Sequence, residues 1–204
     1  APNALAIAVT RQVMAGAEIK LGRYDEAERM LLDAQKTVVA MTGADSMRNM
    51  MLVNGLLEVD QHRRHWPQAL AHARTLYEGI RAKVGEDSIF TATTLGVWGE
   101  VLFLAGQPGE AAPKLEAAYR QLVRLQSPTN PQTQVIGFWH AAAAGALGRW
   151  EQSEATLATL DAAQLNAAAA NPAWQLRLDA LRGVLRYRHH HDAQARPALE
   201  ATLS

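Results

Sequence analysis

A 42-residue period constrains this chain more than any other feature. Ala27, Ala69, Ala111, Ser153 and Ala195 follow one another at that step, and all are small. The same step carries Tyr24 to Trp66, Pro108, Trp150 and Asp192, and Leu31 to Ala73, Leu115, Leu157 and Leu199. The stretch Leu21-Gly22-Arg23-Tyr24-Asp25-Glu26-Ala27-Glu28 reads as the end of one helix, a Gly turn and the start of a second helix with its small residue facing inward. One helical hairpin fills such a period. A single hairpin cannot bury its apolar face alone, so hairpins stack into a solenoid.

The chain in order fits that frame. Ala4 to Leu21 has helical spacing, with Ile7, Met14 and Leu21 on one face, and Gly22 ends it. Asp25 opens a second helix, with Ala27, Leu31, Ala34 and Val38 aligned, ending near Thr42-Gly43. Asp45-Ser46 caps a third helix, and the cap recurs as Asp87-Ser88, Asn130-Pro131 and Asn171-Pro172. The third helix runs to about His62, the fourth from Trp66 to about Val84, the fifth to Leu104 and the sixth from Gly109 to about Leu125. The seventh and eighth flank Gly148-Arg149, the ninth runs from Pro172 to about Arg188, and a tenth starts at Asp192. Pro113 and Pro197 share one repeat position and are expected in first turns, where a missing N–H loses no partner. No segment alternates as a strand does. The reading is one repeat domain over 1–204, with repeats near 4–43, 44–85, 86–128, 129–170 and 171–204, excised from a longer protein.

Composition narrows function by exclusion. Lys plus Arg and Asp plus Glu are 20 each, so the net charge is zero and no basic stripe points to nucleic acid. There is no Cys, hence no disulfide, thiolate zinc site or Cys nucleophile. No apolar run approaches the ~18 residues of a membrane span. Aromatic residues are only 6%, which suits helices in close approach.

Gly22-Arg23-Tyr24-Asp25-Glu26-Ala27-Glu28 resembles the G-R-Y-x-E-A-E core of tetratricopeptide repeats (TPRs), and Pro113-Lys114-Leu115 and Pro197-Ala198-Leu199 look like the P-L-x segment after it. The 42-residue spacing is similar to the longer variety in kinesin light chains and many bacterial signalling proteins. The second repeat departs, with Arg63-Arg64 in place of Leu-Gly, and so does the fifth, with His189-His190-His191 around its turn. The family keeps a small residue at the eighth position of each first helix. Here those are Ala15, Leu57, Gly99, Ala141 and Gly183, and Leu57 breaks the rule. The resemblance implies an all-α right-handed superhelix of about five hairpins that binds a protein or peptide in a concave groove lined by first helices. Gln12, Asn54, Glu58, His62, Glu100, Phe103, Phe138, Tyr187 and Arg188 fall at its groove-facing positions. It further implies a regulatory or sensor domain of a bacterial signalling protein, either a membrane-anchored winged-helix transcriptional regulator or a Ser/Thr kinase. The compartment would be periplasmic, with the cytoplasm as alternative, and a homodimer is compatible with it.

Other candidates reduce to simpler readings. His62 and His65 flank one turn, and His189, His190 and His191 another. They are read as solvated turn residues; the functional alternative is a small-molecule or pH sensor that uses the groove or these His-containing turns. No HExxH or acidic-histidine cluster supports a metal, and no cofactor is expected. Gly106-Gln107-Pro108-Gly109 lacks the strand and Lys of a phosphate loop and is a turn. Trp66 and Trp150 are expected between helices, like Tyr24, and Trp98, Trp139 and Trp174 between repeats. Glu58 and Glu100 lie one period apart, but without a pocket or nucleophile they make no acid–base pair, and an enzyme is not expected.

Overall fold

The computed structural model describes residues 2–165 and 172–190. Among them every element is a helix: α1 (Pro2–Lys20) and α2 (Tyr24–Thr42), α3 (Met47–Arg63) and α4 (Trp66–Val84), α5 (Ile89–Leu104) and α6 (Pro108–Leu125), α7 (Pro131–Ala146) and α8 (Trp150–Leu165), then α9 (Pro172–His190). The expected tenth helix, with Ala195, Pro197 and His191, lies outside the described residues. The chain forms two compact units, residues 1–94 and 95–204, whose border falls inside α5.

The helix ends are set by local chemistry. Ser46 accepts the Asn49 N–H at 3.3 Å and Asn130 accepts the Gln132 N–H at 2.9 Å, so both caps satisfy an orphan donor. At the other end the period returns as a hydrogen bond. Arg23, His65, Gln107 and Arg149 each donate a backbone N–H to the carbonyl five residues earlier, at 2.9 Å in all four. This closure needs a left-handed residue just before it. Gly22, Gly106 and Gly148 supply it with φ of 74°, 80° and 73°, and Arg64 takes the same conformation at 57°. The departure of the second repeat from Leu-Gly is therefore absorbed as backbone strain, not as a changed turn. A left-handed non-Gly residue costs about 1–2 kcal/mol.

In the first unit, Ala8, Ala15 and Ile19 of α1, Ala27, Leu31, Ala34 and Val38 of α2, and Leu52, Leu56 and Val59 of α3 form one core. In the second, Ala141, Leu157, Leu160, Trp174, Leu178 and Leu185 do the same for α7, α8 and α9. The small positions sit in full contact: Ala27, Ala69 and Ala111 are wholly buried and Ser153 nearly so, its hydroxyl donating to the Ala141 carbonyl at 2.8 Å. Leu57, the exception to the family pattern, is also buried. A side chain on Gly99 would come within 2.6 Å of Leu115. The same two positions hold Ala15 and Leu31, and Ala141 and Leu157, small facing large. In the second hairpin they hold Leu57 and Ala73, with the sizes exchanged and both buried.

Ile7 and Met14 share a side of α1 that faces outward, and Leu21 follows the helix end, also exposed; Ala8, Ala15 and Ile19 face the core. One period on, the position of Met14 is Leu56, and exposure falls from 48% to 4%. Leu56 packs in the core with residues of α1 and α2. Pro113 is the sixth residue of α6, beyond the first turn, so its missing N–H forgoes a bond to the Gly109 carbonyl.

Candidate functional site

The first unit contains an open apolar cleft of about 430 Å³. Met50, Leu76 and Ile80 are buried at its floor, since α3 and α4 approach so closely that a side chain on Gly79 would strike the Met50 sulfur. Met47, Met51 and Phe90 line it from exposed positions, Met51 at 57% and Phe90 at 63%. Gln12, Asn54, Thr93 and Thr94 add hydrogen-bonding groups. Two of the predicted groove residues, Gln12 and Asn54, are thus brought to one site. Glu58 is exposed one turn along α3 and is not part of the lining. A cleft with an apolar floor and a few polar groups is the usual form of a binding site.

The groove positions of the second unit are filled differently. Phe103 of α5 lies 5.7 Å from Trp139 of α7, Trp139 meets Phe138 edge-on at 5.2 Å, and Phe138 lies 5.8 Å from Trp174 of α9. Phe103 and Phe138 are half-buried members of this chain of rings. Lys114 sits 4.4 Å above the Trp98 ring. Glu100 is half-buried, and desolvation pushes its carboxyl up to about 7. Tyr187 and Arg188 are exposed near the end of α9.

Of the predicted histidines, His62, His65 and His189 are exposed, each beside a polar or aromatic neighbour, and His191 lies outside the described residues. His62 stacks on Tyr24 at 5.1 Å, and His189 packs 4.8 Å from Trp150 beside a cleft of about 490 Å³ between α8 and α9. His65 Nδ1 is 3.6 Å from the buried carboxylate of Asp60, whose other oxygen is 2.9 Å from His72 Nδ1. His190 ends α9. His140 is buried against Tyr119, and burial lowers its pKa. Its ring bonds Thr156 at 3.1 Å and Gln152 at 3.2 Å. Sequence reasoning missed Asp60, His72 and His140, and also the Met47-Arg48-Asn49-Met50-Met51 cluster. The available signals were a carboxylate inside an apolar helix face and thioethers bunched at one helix start. Among the described residues no group of three or more His, Cys, Asp or Glu gathers to hold a metal, and no helix is long and apolar enough to cross a membrane.

Neither a family model nor a curated protein matches the sequence. Solved structures do. The crystal structure of Podosopora anserina kinesin light chain nearly identical TPR-like repeats superposes with a TM-score of 0.77 at 13% identity, covering 95% of this chain and 92% of that one. A variant of those repeats gives 0.78 at 13% identity, with the same coverage. BtubC (BKLC) from P. vanneervenii gives 0.78 at 14% identity, covering 98% of this chain and 80% of that one. With the recurring turn closure and the small-to-large packing pairs, these likenesses establish the architecture: the chain has the TPR-like repeat fold, in the form found in kinesin-light-chain repeats.

Proposed function

We propose that this chain is a protein-interaction module whose first helices carry the recognition surface, with the methionine-lined cleft as its main apolar site for an amphipathic peptide. The cleft itself carries this reading: three thioethers and an exposed Phe90 beside Asn54 and Gln12. Thioethers repack around varied apolar side chains, and Asn can both donate to and accept from a peptide backbone. In the first unit the candidate contacts are Asn54 and Glu58; in the second they are Glu100, Phe103, Phe138, Tyr187 and Arg188. The test is peptide display against the whole chain, followed by titration of selected peptides. Met51→Glu and Asn54→Ala are expected to weaken binding, Met51→Glu by ~2 kcal/mol or more if it is a hot spot. Arg29→Ala, an exposed second-helix change, should leave binding intact. Loss through Arg29 alone would place recognition on the opposite side. A role inside a bacterial signalling protein, as regulatory or sensor domain, rests on the sequence resemblance alone.

A pH-sensing reading is favoured by one observation, the buried Asp60 carboxylate held between His65 and His72. If it holds, His65→Gln with His72→Gln abolishes a binding or conformational response between about pH 5 and 7. An unchanged response removes this reading.

A further inference from the structure

Along α5, Gly96, Glu100 and Phe103 form one stripe at helical spacing. Both ends of the stripe touch α7: a side chain on Gly96 would come within 2.5 Å of Ile136, and Phe103 lies 5.7 Å from Trp139. Glu100 therefore stands on the α5–α7 seam, between an aliphatic contact and an aromatic one. It is the only charged side chain in α5, and α7 carries no Asp, Glu, Lys or Arg. The titratable group of α7 is His140, which burial keeps toward its neutral form. From α6, Lys114 is engaged on the Trp98 ring, and Glu116 and Arg120 pair with each other at 2.8 Å. No ion pair or hydrogen bond of Glu100 occurs among the described residues. The rise of its carboxyl to about 7 comes from desolvation, with no charge among the described residues offsetting it.

We propose that the seam around Glu100, Phe103 and Trp139 is a cation-recognition site that takes the arginine side chain of a bound peptide. A guanidinium is planar, stacks on aromatic faces and loses less hydration than an ammonium, so it suits a carboxylate with an aromatic pair one turn along its helix. Binding favours the ionised form of Glu100 and gives it a partner. This deepens the peptide-binding reading and rests on it for the ligand's source.

The test uses Nα-acetylarginine methylamide as probe and the citrulline analogue as its uncharged match. The whole chain is labelled for the Glu100 carboxyl carbon and the Trp139 indole N–H. Arginine is expected to lower the Glu100 titration midpoint by about one pH unit or more and to shift the Trp139 indole, while citrulline does neither. Glu100→Gln should weaken the Trp139 response roughly tenfold or more, and Phe103→Leu, which keeps an apolar side chain there, should weaken it less. An unchanged carboxyl midpoint, an equal response to citrulline, or a wild-type response in Glu100→Gln overturns the site. Failure here leaves the methionine cleft untouched, because its residues are read separately through their methyl groups.

Discussion

The two units build one repeat scaffold and finish its surfaces in different ways. In the first, α3 leaves Met47 and Met51 open beside an exposed Phe90. In the second, the first helices interlock through Phe103, Trp139, Phe138 and Trp174. Flexible thioethers fill gaps without fixing a shape, whereas contacting rings hold one another in place. The same helical register therefore leaves an adaptable apolar cleft in one unit and an interlocked row of rings, with a stranded carboxylate, in the other. Changes at Trp174 in the ring chain should act mainly on stability, changes at Glu100 on arginine binding and on the pH dependence of stability, and changes in the cleft mainly on peptide binding.

The largest effects should come from packing shared by both units. Leu57→Ala is expected to cost about 2–5 kcal/mol and Ala73→Leu about 1–3 kcal/mol, measured by urea unfolding. If the two positions exchange sizes as the other hairpins indicate, the double variant recovers more than half of the summed loss. Additive losses would break the pairing. Trp174→Ala in the ring chain should likewise cost about 3–5 kcal/mol.

Next comes a pH effect specific to the seam. The folded carboxyl of Glu100 titrates near 7 against 4.5 in the unfolded chain. Its favourable contribution is therefore complete below about pH 4.5 and is lost as pH rises through 7. Glu100→Gln should gain up to roughly 3 kcal/mol at pH 8 and little at pH 4. His140 works in the opposite sense: its pKa is lowered by burial, so its contribution is present above about 6.5 and lost as pH falls. A stability profile of the Gln variant that stays parallel to wild type between pH 4 and 8 would show that Glu100 is not desolvated.

Smaller still, Arg64→Gly should stabilise by about 0.5–1 kcal/mol, because it relieves the left-handed Arg while keeping the turn. Met51→Leu should change stability by no more than about 0.5 kcal/mol, as expected of an exposed cleft residue.

Much of the fold was legible because helix ends are local. Ser46 and Asn130 cap through their own side chains, and Gly22, Gly106 and Gly148 sit where the backbone must turn left-handed. The small positions were legible because the period repeats them. The period did not reveal which neighbour covers a face. Ile7 and Met14 share a side of α1 as read, with Leu21 just past its end, but a helix pattern cannot say that this side is exposed. The candidate site was harder to read for the same reason. Gln12 and Asn54 come from different helices and meet only through stacking, and Met47, Met50 and Met51 look like ordinary helix-start apolar residues. Asp60 and His72, or His140 with Thr156, are partners across helices at separations that no local spacing rule selects.

The cleft can be tested most directly through its sulfurs. The chain has 6 Met, at positions 14, 30, 41, 47, 50 and 51. Positions 47, 50 and 51 line the cleft and the others do not. With the methionine methyls carbon-13 labelled, each residue reports separately while a display-selected peptide is titrated into the chain. Saturable shifts at Met47, Met50 and Met51, with Met14, Met30 and Met41 unmoved, are the predicted result. Shifts at Met14 or Met41 with the cleft methyls unchanged would contradict it.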